Sequence, residues 1–169
     1  MPGAAFLHGD RLALHPVTDE DHEFVQDHWN DPAVRRGFAR YRPQRPSDVA
    51  SFLDDEGAVH FLVCRDGDPV GFLWLFDVED VMGRAELGYW VAPDEQGQGY
   101  ATEAAELGVR YAFDDRGLHR VMARVFATNE ASRRVLEAVG FEREGTLRDH
   151  YYVDGDHVDA HVYGLLDGD

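Results

Sequence analysis

Lysine is absent from this 169-residue chain, and all 16 basic residues are arginine. Without an amine side chain there is no Schiff-base enzyme, no pyridoxal-phosphate anchor and no Walker A lysine. Cysteine is nearly absent as well. Cys64 stands alone, which excludes an intrachain disulfide and any metal site built from several thiolates. Serine occurs only at Ser47, Ser51 and Ser132, none within G-x-S-x-G, so a hydrolase nucleophile elbow is missing. No apolar run approaches the ~18 residues needed to cross a bilayer. Residues 1–8 lack the basic and long apolar stretches of a secretory signal. The expectation is a cytoplasmic protein with no membrane partner.

What is abundant is acid. Asp and Glu number 33, for a net charge of −17. That charge argues against nucleic acid and anionic membrane as partners. It is spread along the chain and reads as a solvated surface. Such an acidic, lysine-free surface resembles the proteins of halophilic microbes, where salt screens self-repulsion over a Debye length of roughly 3 Å at 1 M. It would attract cationic partners, although a global charge can equally reflect salt adaptation. Hydrophobic residues make up 44%, enough for one core. No repeat or linker interrupts the chain, so residues 1–169 are expected to form one domain.

The pattern along the chain alternates strands and helices. Residues 11–15 read as a strand. Residues 18–29 read as a helix, with Thr18 as N-cap and Asp21 in the capping-box position; Asn30-Asp31-Pro32 ends it. Residues 37–46 are arginine-rich and carry Pro43 and Pro46, so they read as a loop, followed by a short helix over 47–55. Residues 59–64 and 70–78 flank Asp66-Gly67-Asp68-Pro69 as a hairpin. A strand over 84–91 follows. A helix over 100–113 has Ala101, Ala104, Ala105, Gly108 and Ala112 on one stripe, with Gly117 as its stop. A strand over 120–127, a helix over 130–139 and closing strands over 141–153 and 157–166 complete the order. This makes an α/β (α+β) fold with a mixed, mostly antiparallel sheet of about seven strands flanked by about four helices.

Chemistry concentrates in Gln96-Gly97-Gln98-Gly99-Tyr100-Ala101 at a helix start. Gly97 and Gly99 let backbone approach a ligand without a Cβ in the way. The free N–H groups of the first helical turn suit a pyrophosphate. By themselves these six residues could equally be a tight turn.

The wider set is more specific. Glu86-Leu87-Gly88-Tyr89-Trp90 precedes the loop. The loop fits Q/R-x-x-G-x-G/A at Gln96, Gly99 and Ala101, and Thr102-Glu103-Ala104 follows. Then come Tyr111-Ala112-Phe113, the run from Asn129 to Leu136, Gly140-Phe141, Glu144-Gly145, Arg148 and Asp159. In this order, over residues 11–166, the chain resembles the RimJ/RimL-type branch of the GNAT N-acetyltransferases.

The resemblance implies the GNAT fold and acetyl-CoA as acyl donor, with no metal. The acceptor it implies is a primary amine, either a protein N-terminus of the ribosomal-protein type or a small amine. It also implies that the strand before the loop diverges from its neighbour to admit the pantetheine arm. The backbone of Trp90 and Val91 would lie beside the acetyl group and polarise the thioester carbonyl. Gln96, Gly97, Gln98, Gly99, Tyr100, Ala101 and Thr102 would cradle the pyrophosphate. Asn129 would bond the pantetheine arm. The chain departs from relatives that often place Arg or Lys in the loop, where Gln96 and Gln98 stand here, and backbone donors with Arg134 or Arg133 would offset that loss. By analogy with relatives it implies a homodimer, which the sequence itself leaves open.

Amine attack on a thioester needs a base and a group to receive the leaving thiolate. Glu86 is the candidate base, against the alternative of a strand carboxylate paired with an arginine. Many GNAT enzymes carry a tyrosine seven residues after the motif asparagine; here Leu136 stands there, so Ser132 is the candidate for the thiolate. Asn129 as N-cap and Ser132 as a helix-start hydroxyl are compatible alternatives. Arg133 and Arg134 also read as a solvated helix face.

Other features carry less. His157 and His161 fall on one strand face with Asp159, so a metal is not expected. Cys64 reads as buried and inert. Trp29, Trp74 and Trp90 read as core, and Tyr151 and Tyr152 as closing-strand residues that could border an acceptor pocket. Leu136 and the uncharged loop keep a second reading open, an acyl-CoA-binding sensor without efficient catalysis. A nucleotide-binding domain is a third and weaker reading.

Overall fold

The computed structural model describes residues 2–169. Eight strands form one sheet: β1 (Leu7–His8), β2 (Leu12–Pro16), β3 (Val59–Arg65), β4 (Asp68–Glu79), β5 (Arg84–Val91), β6 (Arg120–Phe126), β7 (Glu142–Val153) and β8 (Asp156–Leu166). Their spatial order is β1-β2-β3-β4-β5-β6-β8-β7. Every neighbouring pair is antiparallel except β5 and β6. That one parallel pair requires a crossover, which the helix between them supplies.

Five α-helices accompany the sheet: α1 (His22–Asn30), α2 (Pro32–Arg35), α3 (Pro46–Leu53), α4 (Tyr100–Arg110) and α5 (Glu130–Val139). The sequence pattern anticipates four of them and seven of the strands. β1 is two residues long, held by the pairing of Leu7 with Leu14, and is too short to show periodicity. At Asn30-Asp31-Pro32 the expected stop is also a start. Asp31 is extended, as a residue before proline prefers, and its side chain accepts from the Ala33 N–H at 2.8 Å with Pro32 at the first helical position. The Thr18–Asp21 capping box forms as expected, with the Thr18 N–H donating to Asp21 at 2.8 Å, but it opens a 3-10 turn over Asp19–Asp21 before α1 begins.

The core divides between the two faces. On one, α4 and α5 cover Leu73, Leu75, Leu87, Val121, Ala123 and Tyr163. Here the small-residue stripe acts as anticipated: a Cβ on Gly108 would lie 2.9 Å from the Leu73 side chain, so only glycine lets the helix sit this close. On the other face, α1 and α3 enclose an aromatic cluster of Trp29, Phe72, Trp74 and Trp90 with Val25, Val34 and Val49. All three tryptophans are thus core, as expected. No helix is long and apolar enough to cross a membrane among the described residues.

Candidate active site

β5 and β6 stay paired only from Arg84↔Arg120 to Glu86↔Met122. Beyond that point β5 continues with β4, and β6 with β8. The two strands part, and a cavity of about 610 Å³ fills the opening. Because side chains alternate along a strand, the cavity has two kinds of wall. Leu87, Tyr89 and Val91 belong to the face of α4 and α5, and Glu86, Gly88 and Trp90 to the face of α1 and α3.

The first wall begins at the loop before α4. Gly97 and Gly99 have φ of 79° and 80°, the left-handed region that favours glycine. The first helical bond runs from the Glu103 N–H to the Gly99 carbonyl, so the N–H groups of Tyr100, Ala101 and Thr102 lack a partner from the helix. These residues line the cavity with Gln96, whose amide donates to the Val91 carbonyl at 3.1 Å and ties loop to strand end. Unpaired helical N–H groups, glycines without side chains and aliphatic walls fit the pyrophosphate and pantetheine of a CoA thioester.

An unforeseen clamp fixes this loop. Arg11 donates through Nη1 to the Gln98 carbonyl at 2.7 Å and through Nε to Glu103 at 2.9 Å. Glu103 Oε1 also accepts the N–H groups of Arg11 and Leu12 at 2.7 and 2.9 Å. Burial pushes the Glu103 carboxyl up, but these hydrogen bonds outweigh it and hold it below its ordinary value.

From α5, Asn129 and Ser132 reach the same wall. Asn129 is the N-cap, its Oδ1 accepting the Ser132 N–H at 3.2 Å. The Ser132 hydroxyl lies 2.8 Å from the Tyr89 hydroxyl. Burial pushes Tyr89 up to about 12, partly offset by that bond. Leu136 is buried beside them and presents only carbon to the cavity.

The second wall carries Val34, Phe38, Trp74, Phe76 and Tyr151 around one ion pair. Arg124 Nε donates to both Glu86 oxygens at 3.0 and 3.2 Å, and Nη2 donates to Oε2 at 3.1 Å. Burial pulls the Arg124 guanidinium down, but Glu86 outweighs this through hydrogen bonds and charge and raises it. A carboxylate has about four lone-pair sites, so Glu86 keeps capacity for one more donor.

Two anticipated site residues stand apart from the cavity. Gln98 is exposed, its amide turned back to Glu95 at 3.4 Å. Arg134 pairs with Glu130 at 2.6 Å on the exposed face of α5, which is the solvated-face alternative. Arg133 is half-buried, with Nη1 donating to the Ala127 carbonyl at 3.4 Å. Tyr152 is exposed, unlike Tyr151. Cys64 is buried, and burial with the charges of Asp21 and Asp68 pushes its thiol up to about 12, leaving no thiolate nucleophile at neutral pH. Among the described residues no group of His, Cys, Asp and Glu could hold a metal ion. Tyr89, quoted in the motif before the loop, Arg124 and Phe38 are given no role by the sequence, because each meets its site partners only through long-range folding.

Comparison with known proteins agrees with this geometry. The acetyltransferase (GNAT) domain family matches residues 11–142. An uncharacterized N-acetyltransferase, YoaA of Bacillus subtilis, is 30% identical, covering 95% of this chain and 96% of its own. The spermidine N(1)-acetyltransferase of Escherichia coli K12 is 28% identical over 88% of this chain and 82% of its own. Among solved structures, Mycobacterium smegmatis RimJ in complex with CoA-disulfide superposes with a TM-score of 0.81 at 26% identity, covering 92% of this chain and 81% of that one. With its parted strands and its glycine loop at a helix start, the chain belongs to the GNAT acetyltransferase family and is an acetyl-CoA-dependent N-acetyltransferase.

Proposed function

We propose that the chain acetylates a primary amine in the manner of the RimJ/RimL branch, with donor and acceptor entering from opposite faces of the parted sheet. The observation that carries this reading is the cavity itself. Gly97, Gly99, Asn129 and Ser132 line its α4–α5 wall, and Glu86 lines the other.

On this reading the loop from Gln96 to Thr102 holds the pyrophosphate through backbone N–H groups. The backbone of Trp90 and Val91, on the edge that β6 leaves, polarises the thioester carbonyl. Glu86 anchors the acceptor as its ammonium and takes one proton, directly or through water, leaving the neutral amine. That amine attacks the thioester carbon; the C–N bond forms, the C–S bond breaks, and the second amine proton passes to solvent.

The leaving thiolate meets Ser132. When Tyr89 donates to Ser132 Oγ, the serine's own proton is left to point at sulfur. Tyr89, held near 12, cannot readily surrender its proton to a thiolate of pKa on the order of 8.5. The pair therefore solvates the thiolate and is not its acid, replacing the tyrosine for which Leu136 stands.

Release of free CoA thiol in the presence of a primary amine tests this chemistry. Amine-dependent release supports it, and saturable acetyl-CoA binding with no release from any primary amine overturns it.

A further inference from the structure

The segment 32–47 reverses the charge of the molecule. It holds five arginines, at 35, 36, 40, 42 and 45, and no Asp or Glu, whereas the rest of the chain has 11 arginines against 33 acids. This same segment gives Ala33, Val34, Gly37 and Phe38 to the acceptor-side wall.

Two of the five are committed to the fold. Arg40 turns inward, 3.7 Å over the Trp29 ring and 5.4 Å over Phe52. Arg45 pairs with Asp48 at 2.9 Å at the start of α3. The others remain available. Arg35 and Arg42 make no ion pair among the described residues, Arg42 feeling Asp48 only at longer range. Arg36 meets Asp154 at 3.8 Å, with both side chains largely exposed, and exposed pairs of this kind are worth little. That contact joins the basic segment to the β7–β8 turn, just beyond the wall residue Tyr151. Arg124, deeper in, spends Nε and Nη2 on Glu86 and leaves Nη1 without a hydrogen bond among the described residues.

Among the residues lining the acceptor-side wall the one carboxylate is Glu86, already countered by Arg124, and the segment that supplies Ala33, Val34, Gly37 and Phe38 to that wall is itself cationic. A polyamine would bring several positive charges to a place with one partly engaged acid, and like-charge juxtaposition is costly. We infer that the acceptor is a primary amine that also carries an anionic group, a carboxylate or phosphate. The amine meets Glu86, and the anion meets the rim of Arg35, Arg36 and Arg42 with Arg124 Nη1 behind it. This rests on the reading of that wall as the acceptor site.

The test uses two matched series at the lowest salt that keeps the protein folded, since salt screens exposed charge. One series is peptides with N-terminal alanine followed by Glu-Asp, Gln-Asn or Arg-Arg. The other is aminoethyl phosphate, ethanolamine and spermidine. CoA release gives kcat/KM, and calorimetric titration of each compound with CoA present gives affinity independently of turnover. The expected result is an anionic member about tenfold better than its neutral counterpart in at least one series. The series that responds identifies the source as polypeptide or small molecule.

In R35Q/R36Q/R42Q the preference should fall to about twofold, with acetyl-CoA affinity unchanged. Preference for the cationic members, a preference that survives in the triple variant, or an equal loss of acetyl-CoA affinity in it would overturn the inference. Should no amine release CoA, the catalytic reading fails while the titrations still decide: tighter anionic binding upholds the basic rim, and equal binding removes it.

Discussion

The two walls of the cavity use different materials. On the α4–α5 side the groups are backbone N–H, glycine, the side-chain amides of Gln96 and Asn129, hydroxyls and aliphatic carbon. On the α1–α3 side they are aromatic rings and one arginine–carboxylate pair. The first wall suits a ligand that does not change, because its donors are fixed by the chain's own path through Gly97 and Gly99. The second is made of side chains from five separate stretches (α2 and the turn after it, β4, β5, β6 and β7), each of which can be replaced without disturbing the loop. One wall can therefore stay with the acyl donor while the other is free to define the acceptor.

That contrast can be broken most severely at Gly99. Its φ is +80°, and a Cβ there would lie 3.3 Å from Arg11 Nη2. Gly99→Val places a β-branched residue in the left-handed region and should abolish measurable acetyl-CoA binding while near-native circular dichroism persists. On the opposite wall, Glu86→Gln should lower kcat about 100-fold and leave the KM for acetyl-CoA within about twofold. A matching rise in that KM would mean the walls are not separate.

Tyr89→Phe and Ser132→Ala should each lower kcat by about tenfold. The double variant should be little worse than Ser132→Ala, because Tyr89 acts through the serine. Strict additivity would show that the tyrosine contacts the thiolate itself.

Two smaller effects concern stability. Glu103 is held below its ordinary carboxyl value of 4.5, so its clamp on Arg11 and Leu12 is fully present above that pH. It is lost as pH falls through the lower folded value. Melting curves of Glu103→Gln and the wild type should therefore converge by a few degrees on acidification below 4.5. At neutral pH, molar KCl should raise the wild-type melting temperature by screening the charge of −17; complete folding in low salt with no gain would remove the salt-adaptation reading.

Legibility in the sequence followed the same division. β5 over 84–91 and α5 over 130–139 stand where spacing and the Asn129 and Gly140 signals put them. The glycine loop is local, so its residues were readable one after another. The long-range pairs that complete both walls were not. Glu86 finds Arg124 across 38 positions, Tyr89 finds Ser132 across 43, and Arg11 finds Glu103 across 92. No spacing rule reports such pairs, because they exist only once β5 and β6 have parted and β2 has docked on α4. Gln98 and Arg134 teach the reverse. Each sits within a readable motif, but its side chain is claimed by a neighbouring acid, Glu95 or Glu130.

The most direct measurement is calorimetric titration of acetyl-CoA into the wild type and Gly99→Val, both folded in molar KCl. The account predicts saturable one-to-one binding to the wild type and none to the variant. Equal binding to both, or no binding to a folded wild type, would contradict a donor site built from the loop before α4.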